Sequence, residues 1–310
     1  MLLAFDVGGT RLKAGVLHEG KLLAFETTTL PDHASSSDLL ACMRVIGMQF
    51  MAQYDIVAIG IAIRGIVDSH AGTVVEVNGP LSTMLGQPLA ALIASTLHRP
   101  TSLENDARMY ALGELLYGAG QGCQNLLCLT LGTGVGCGVA LNGRMLRGER
   151  GVAGILGGHV TIQTDGVLCS CGNKGCLEAY IGTEALQAEM RAALLTGQET
   201  LLHNASGTPQ NLFAAAANGD ALAQQIVRRF TISLGAGIVS LIHVYDPDRV
   251  LIGGGIAHAA AHFLPAVQAY VDTHAWTIPR QRVQLVPALL GDAAALFGLA
   301  AWLENPSLCC

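Results

Sequence analysis

Charged residues are scarce in this sequence, and no run of basic residues occurs. Asp, Glu, Lys and Arg make up 13% of the 310 residues, whereas 51% are hydrophobic. So apolar a chain must bury much of its surface, part of it between subunits, and we expect a homodimer. The net charge of −6 argues against a groove for nucleic acid. The length is sufficient for two domains.

The sequence also lacks a recognisable targeting or membrane-spanning segment. The apolar residues 1–5 are interrupted by Asp6 and follow no basic residue, so they do not resemble a signal peptide. The apolar stretch 232–244 is too short and too mixed to span a bilayer. The nine cysteines lack the spacing of a disulfide framework, which favours a reduced, cytoplasmic setting. Cys309 and Cys310 are expected on an exposed tail.

Glycine is abundant, with 38 residues, and three glycine-rich turns follow predicted strands. Bare N–H groups in such turns can bind phosphate oxygens, and a carboxylate beside them can hold Mg²⁺ through water. An ordinary hairpin turn explains the first cluster equally well, and helix–strand packing explains the third. The second precedes a strand and not a helix, which excludes a dinucleotide fingerprint. The candidate nucleotide-binding residues are Asp6, Gly8, Gly9, Thr10, Gly132, Thr133, Gly134, Gly253, Gly254 and Gly255.

A pattern of strand, glycine turn, strand and hairpin occurs twice, near residue 6 and again near residue 129. The repetition predicts duplication of one α/β unit, with a cleft between the halves. We place an N-terminal domain at residues 1–118 plus about 292–310, and a C-terminal domain at 119–291.

The segment 159–178 contains one histidine and three closely spaced cysteines, His159, Cys169, Cys171 and Cys176. Three thiolates and an imidazole form a tetrahedral Zn²⁺ set. Buried structural cysteines are the alternative, but the C-x-C-x4-C order favours a metal. Because protein atoms fill all four positions, the zinc would be structural. Glu178 follows closely and is either an ordinary helix-start residue or an acceptor for a sugar hydroxyl.

The tripeptide Glu104-Asn105-Asp106 lies between a predicted strand and a predicted helix. By default Asp106 would cap the helix. The functional interpretation makes Asp106 the general base for a hydroxyl that attacks a γ-phosphate, with Asn105 orienting a sugar. Phosphoryl transfer depends mainly on positioning and on charge stabilisation, which suits this small set of groups.

Taken in order, D-x-G-G-T, E-N-D-A, L-G-T-G-x-G-x-G, G-H, C-x-C-G-x-x-G-C-x-E and G-G-G resemble the ROK family of repressors, open reading frames and kinases. The resemblance covers nearly the whole chain. It implies an α/β protein with the actin-like (ribonuclease H-like) ATPase fold of two duplicated domains. It also implies phosphorylation of a hexose or N-acetylhexosamine with ATP and Mg²⁺.

The resemblance also implies roles for individual residues. Asp106 matches the family's catalytic base, and His159 would bind zinc through one ring nitrogen and the sugar through the other. The substrate-binding residues implied in this way are Gly65, Asn78, Asn105, His159 and Glu178. The match at Asn78 is weaker because Gly-Pro-Leu follows it instead of Leu-Pro-Gly-Trp.

Two departures from the family pattern affect the expected substrate. Where the family has a sugar-binding Glu, this chain has Leu156 or Ile155, depending on the direction of counting. An aliphatic residue would leave a substrate hydroxyl unpaired, at a cost of about 1–3 kcal/mol, so we expect an acetylated, deoxy or otherwise less polar group there. Arg64 replaces a common Pro, and either a surface ion pair or a contact with a substrate oxygen would explain it.

Three functions are compatible with these features. An ATP-dependent sugar kinase explains most of them. A sugar-responsive regulator would need a helix-turn-helix before the first strand, for which no room is left before Leu2. A sugar-binding protein without turnover is the remaining alternative, suggested by the missing Glu.

Overall fold

The computed structural model of the chain describes residues 1–31, 35–77, 79–195, 197–204 and 207–310. Strands and helices alternate along it, as expected for an α/β protein. The strands are β1 (Leu2–Val7), β2 (Arg11–His18), β3 (Lys21–Thr29), β4 (Ala58–Ile63), β5 (Ile66–Asp68), β6 (Thr73–Glu76), β7 (Thr101–Asn105), β8 (Leu126–Leu131), β9 (Val135–Leu141), β10 (Arg144–Met145), β11 (Arg249–Gly253) and β12 (Gln284–Pro287). The α-helices are α1 (Ser36–Met51), α2 (Leu89–Leu97), α3 (Asp106–Tyr117), α4 (Glu178–Ile181), α5 (Thr183–Leu194), α6 (Pro209–Ala217), α7 (Ala221–Tyr245), α8 (Ala260–His274) and α9 (Ala294–Glu304).

Two five-stranded sheets share one strand plan. The first has the order β3-β2-β1-β4-β7 and the second the order β10-β9-β8-β11-β12. In each, the central strand is flanked on one side by the antiparallel hairpin that follows it in the chain, and on the other side by two parallel strands. The duplication inferred from the sequence is therefore confirmed.

Two compact units divide the chain. Unit 1 contains Met1–Gly122, Gly138–Ile155 and Leu289–Cys310, and unit 2 contains Cys123–Cys137 and Leu156–Ala288. We continue to propose the two domains expected from the sequence, which are residues 1–118 with about 292–310, and residues 119–291.

The core of unit 1 forms around its sheet. All six residues of β1 and five of the six in β4 are buried, as expected for parallel strands covered on both faces. Helices α3 and α9 approach very closely through two glycines. A Cβ on Gly113 would lie 2.0 Å from the Ala294 carbonyl oxygen, and one on Gly298 would lie 1.9 Å from that of Met109. Only glycine fits at these two positions.

The core of unit 2 includes three phenylalanines from three helices. Phe213 of α6, Phe230 of α7 and Phe263 of α8 have ring centroids 5.1–5.3 Å apart. Helix α7 is long and apolar enough to cross a membrane by length and composition alone, but half of its most apolar window is buried within the protein. A core helix passes the same test.

The structure differs from the sequence-based expectations at several points. The composition of residues 178–195 predicts one helix, but the segment forms two helices, because the chain turns at Gly182 with ψ 158°. Cys309 is buried and pairs with Met145 in a β-bridge, so the predicted exposed tail is wrong for that residue. Helix α6 and the hairpin of β5 and β6 were not predicted from the sequence.

Candidate functional site

One edge of the first sheet carries the candidate groups of unit 1. Strands β1, β4 and β7 are parallel, with β4 in the middle, so their carboxyl ends lie at the same edge. Val7 pairs with Ile63, and Ile63 pairs with Asn105. The Gly8 turn, Arg64 and Asp106 therefore follow three neighbouring strands, an arrangement in which α/β proteins commonly bind ligands.

The turn after β1 is part of a hairpin. The Gly8 N–H donates to the carbonyl of Arg11 at 2.9 Å. Lys13, on β2, lies 3.1 Å from the carboxylate of Asp6 and 3.0 Å from that of Asp292. Burial raises the pKa of Asp6, and the Lys13 ammonium opposes that shift. Gly9 is half-buried and Thr10 is exposed, so the turn remains open to solvent at its tip.

Asn105 is the N-cap of helix α3, and Asp106 is its first residue. The Asn105 Oδ1 accepts from the N–H of Arg108 at 2.9 Å, so the expectation that Asp106 caps the helix is wrong. The Asn105 Nδ2 donates to the Gly65 carbonyl at 2.9 Å and to the Asp106 Oδ1 at 3.2 Å. Asn105 thus connects Gly65 with Asp106 and fixes the direction of the carboxylate.

Gly65 makes that connection possible. Its φ of +109° lies in the region that favours glycine, and a Cβ there would be 2.2 Å from the Glu76 carbonyl oxygen. A side chain at this position would therefore displace the carbonyl that holds Asn105.

The environment of Asp106 raises its pKa to about 6. Burial is the main cause, and the negative charge of Asp6 adds to it. The Ala107 N–H, 2.8 Å from Oδ1, and the charge of Arg64 act in the opposite direction. A carboxyl group with a pKa near 6 is ionised at neutral pH and is still basic enough to accept a proton from a hydroxyl in a transition state.

A buried ion pair lies behind Asp106. Glu104 and Arg108 are both fully buried and pair with each other. The Glu104 carboxylate also accepts from the Asn105 N–H at 2.7 Å and from the Ser69 hydroxyl at 3.0 Å. The Arg108 guanidinium donates to the carbonyls of Leu146, Gly151 and Ala153 at 3.2, 2.7 and 3.1 Å. This pair was not predicted from the sequence, because Glu104 lies on strand β7 and Arg108 on helix α3, so their i,i+4 spacing is not that of a pair on one helix.

Unit 2 presents two glycine turns at the carboxyl ends of β8 and β11, which are parallel neighbours. Gly254 has φ +83°, and a Cβ there would lie 2.4 Å from the Leu131 carbonyl oxygen, so packing requires this glycine. A Cβ on Gly132 or Gly255 would meet open space, and Gly253 is buried at the end of β11. Open backbone at Gly132 and Gly255 leaves room for a ligand.

The four candidate metal ligands come together in unit 2. The Nδ1 or Nε2 of His159 and the Sγ atoms of Cys169, Cys171 and Cys176 all lie within 4.8 Å of one another. The Cys171 and Cys176 sulfurs are 3.7 Å apart, and the Cys169 sulfur is 3.6 Å from His159 Nδ1. Zn–S bonds of about 2.3 Å at tetrahedral angles imply sulfur separations of about 3.8 Å. The donor set therefore fits zinc, with Nδ1 of His159 directed to the cluster.

Glu178 links the metal loop to the second glycine turn. One carboxylate oxygen accepts from the N–H of Val135 at 2.8 Å, and the other accepts from the Ser170 hydroxyl at 3.3 Å. Ser170 lies between two of the candidate ligands. Thr183 adds a second link, because its N–H and its hydroxyl both donate to the Gly132 carbonyl at 2.9 Å. Neither Ser170 nor Thr183 was predicted from the sequence as a site residue.

The two positions that replace the family's Glu differ in exposure. Ile155 is buried at 6% exposure, whereas Leu156, the first residue of the 3-10 helix Leu156–His159, is 42% exposed. Of the two, Leu156 is the side chain available to a ligand. Asn78, the remaining predicted sugar-binding residue, lies outside the described residues.

The comparisons with known proteins give consistent results. The model of the ROK family matches residues 2–305. The glucokinase of Thermotoga maritima is 32% identical over 310 residues, a match that covers 98% of this chain and 97% of that relative. A solved ROK family glucokinase from Streptomyces griseus, in complex with glucose and AMPPNP, has a TM-score of 0.82 at 29% identity and covers 97% of this chain and 98% of its own.

Regulators are similar as well. A solved ROK family transcriptional regulator, a homolog of the E. coli MLC protein, has a TM-score of 0.86 at 28% identity, covering 99% of this chain and 78% of the regulator. The actin-like ATPase fold expected from the sequence is confirmed by these structural neighbours together with the duplicated sheet plan.

Proposed function

The chain belongs to the ROK family, and from this premise we propose that it is an ATP-dependent sugar kinase acting on a hexose or an N-acetylhexosamine. The observation that carries the proposal is Asp106. This carboxylate is fixed at the carboxyl edge of the sheet by Asn105 and Ala107, and its pKa is raised to about 6. Similarity to glucokinases supports sugar phosphorylation at the family level.

In the proposed reaction, Asp106 accepts the proton of the sugar hydroxyl. The hydroxyl oxygen forms a bond to the γ-phosphorus of ATP, while the bond from that phosphorus to the β,γ-bridging oxygen breaks and its electron pair leaves with ADP. Both hydrogen bonds from Asn105 and Ala107 reach Oδ1, so we assign Oδ2 to the substrate hydroxyl. Positioning of this kind supplies much of the rate acceleration in phosphoryl transfer.

The glycine turns are proposed to bind the nucleotide. Because the Gly8 N–H already donates to the Arg11 carbonyl, the turn would offer the N–H groups of Gly9 and Thr10 to phosphate oxygens, and Gly132 and Gly255 offer backbone with open space beside it. Asp6 is the carboxylate suited to hold Mg²⁺, which would neutralise phosphate charge when bound. Its present partner Lys13 also contacts Asp292, so Lys13 keeps a carboxylate partner if Asp6 takes the metal.

Zinc is the metal we propose for the His159, Cys169, Cys171 and Cys176 set. When bound it supplies structural cross-linking, because the protein atoms occupy all four coordination positions. His159 directs Nδ1 to the cluster, which leaves Nε2 to bind a sugar hydroxyl. From the family resemblance we propose that the sugar is bound by Gly65, Asn78, Asn105, His159 and Glu178.

The exposed Leu156 favours a substrate with a less polar group where the family's Glu would bind a hydroxyl. An unpaired hydroxyl against an aliphatic side chain costs about 1–3 kcal/mol, so an acetamido or deoxy sugar should be preferred over glucose. We also propose that the protein is cytoplasmic and forms a homodimer.

The test is ADP release with Mg-ATP across glucose, mannose, fructose, allose, their 2-acetamido forms and β-glucosides. Saturable turnover on one of them supports the proposal. The alternative is a sugar-binding protein without turnover, which the aliphatic Leu156 and the similarity to a regulator favour. Sugar binding by calorimetry without ADP release from any sugar would support that alternative.

A further inference from the structure

Arg64 directly follows the middle strand of the three that carry the unit 1 site. Strand β4 lies between β1, which leads to the glycine turn, and β7, which leads to Asp106. Ile63, the last residue of β4, pairs with Val7 on one side and with Asn105 on the other. The Arg64 backbone thus lies between the proposed phosphate turn and the proposed base.

The Arg64 guanidinium has no hydrogen bond and no ion pair with any of the described residues. The surface ion pair considered from the sequence is therefore absent within residues 1–31, 35–77, 79–195, 197–204 and 207–310. The side chain is half-buried, which distinguishes it from a freely solvated surface arginine. Other half-buried or buried arginines nearby, Arg108 and Arg147, do have partners.

Arg64 is nevertheless close enough to Asp106 to act on it. Its positive charge lowers the pKa of Asp106, against the larger effect of burial. The adjacent Gly65 carbonyl accepts from Asn105 Nδ2, the same nitrogen that donates to Asp106. A half-buried cation next to a base, with no bonded partner among the residues that the structure describes, is suited to bind an anionic ligand.

We propose that the Arg64 guanidinium binds the non-bridging oxygens of the γ-phosphoryl group while it is transferred. The inference rests on the proposed kinase function. The donor phosphates lie at the turn after β1 and the accepting hydroxyl lies at Asp106, so the phosphoryl group passes the end of β4. Arg64 donates hydrogen bonds only, and the bonds made and broken are those of the proposed reaction.

The timing of the charges supports this role. Before transfer, Asp106 is negative and Arg64 is its nearby counter-charge. When the hydroxyl proton moves to Asp106, that negative charge disappears, and negative charge remains on the phosphoryl oxygens and the leaving ADP. The cation is then released from Asp106 and can bind the phosphoryl oxygens as the group passes the end of β4, and contacts made at that stage rather than in the ground state are the condition for an increase in kcat.

The test compares Arg64→Ala and Arg64→Lys with wild type on the sugar that wild type accepts. Removing one such cation should lower kcat by about 10²–10³-fold and change the KM for the sugar by less than about threefold. Arg64→Lys should retain part of the activity, and added guanidinium ion should partly restore Arg64→Ala. Arg44→Ala is the matched control, because it removes the same charge from the exposed face of α1 and should leave kcat unchanged.

Nucleotide binding provides an arm that needs no turnover. The Arg64→Ala substitution should weaken the binding of AMPPNP more than the binding of ADP, because only AMPPNP has a γ-phosphoryl group. A kcat within about twofold of wild type together with an unchanged AMPPNP-to-ADP affinity ratio would overturn the inference. A loss confined to the KM of an acidic sugar would also overturn it, because Arg64 would then bind the acceptor. If wild type phosphorylates no sugar, the kinase proposal fails on its own, and the affinity ratio still decides the role of Arg64.

Discussion

Arg108 and Glu104 form an ion pair in which neither side chain is exposed to solvent. The pair joins two parts of unit 1, since Glu104 holds the Asn105 N–H and Arg108 holds three carbonyls of residues 146–153. A charge in such a place is tolerated only while its partner remains, because the low dielectric makes an unpaired ion very costly. We therefore regard the pair as the support on which Asn105 and Asp106 are oriented.

Breaking this pair should destabilise the protein strongly. Arg108→Met keeps a long side chain but leaves the buried Glu104 with only the more distant Arg147, 3.9 Å away, as a counter-charge, and should cost about 3–5 kcal/mol in the free energy of unfolding. The control is Arg229→Met, which removes an exposed partner of Glu189 and should cost less than about 1 kcal/mol. Denaturant unfolding measures both. Equal losses would show that Arg108 is not a structural ion, and a Glu104→Gln/Arg108→Met double variant should recover part of the loss.

Gly65 should not tolerate a side chain. Gly65→Ala places a Cβ 2.2 Å from the Glu76 carbonyl oxygen at φ +109°, and the shift that relieves this contact moves the carbonyl that binds Asn105. Gly86→Ala is the matched control, because Gly86 has φ +74° but open space around it, and its cost should be only about 1–2 kcal/mol. We expect Gly65→Ala to lose more stability than Gly86→Ala in thermal unfolding, and to lower kcat as well. Similar losses in both variants would refute the steric explanation.

The activity should decrease on the acid side with a midpoint near pH 6. Asp106 acts as a base only when ionised, and its raised pKa of about 6 means that kcat/KM falls about tenfold per pH unit below that value. Because the charge of Asp6 raises this pKa, Asp6→Asn should move the midpoint to lower pH in whatever activity remains. A profile that stays flat down to pH 4.5 would contradict the assignment of Asp106.

Loss of the metal should weaken nucleotide binding at the Gly132 turn, because Glu178 connects that turn with the metal loop. Elemental analysis should find about one zinc ion per chain in the wild-type protein. The Cys171→Ser variant should lose this zinc, whereas the control variant Cys310→Ser should retain it. Because Glu178 accepts from both Ser170 and Val135, AMPPNP should bind several-fold more weakly to Cys171→Ser and to Glu178→Gln. Wild-type protein without metal would refute the zinc site, and unchanged AMPPNP affinity would refute the link.

Local sequence patterns were sufficient for most strands of the two five-stranded sheets and for residues close together in the chain. The candidate metal cluster could be predicted because Cys169, Cys171 and Cys176 lie within eight positions of one another. The burial of Arg108 could not be predicted, because arginine is usually exposed and its three carbonyl partners lie about 40 residues away in the sequence. The break at Gly182 was missed because helical composition continues across it, and the contacts beside it, from Thr183 to the Gly132 carbonyl, join residues 51 positions apart.

The central claim is that Asp106 is the base of a sugar kinase, and Asp106→Asn tests it most directly. The Asn side chain can accept the same hydrogen bonds from Asn105 and Ala107, and it removes a charge that burial disfavours above pH 6, so thermal stability at pH 8 should not fall. With Mg-ATP and the preferred sugar, we expect turnover to fall at least about 10²-fold while calorimetry shows the sugar still bound. Wild-type turnover that survives in Asp106→Asn would contradict the account.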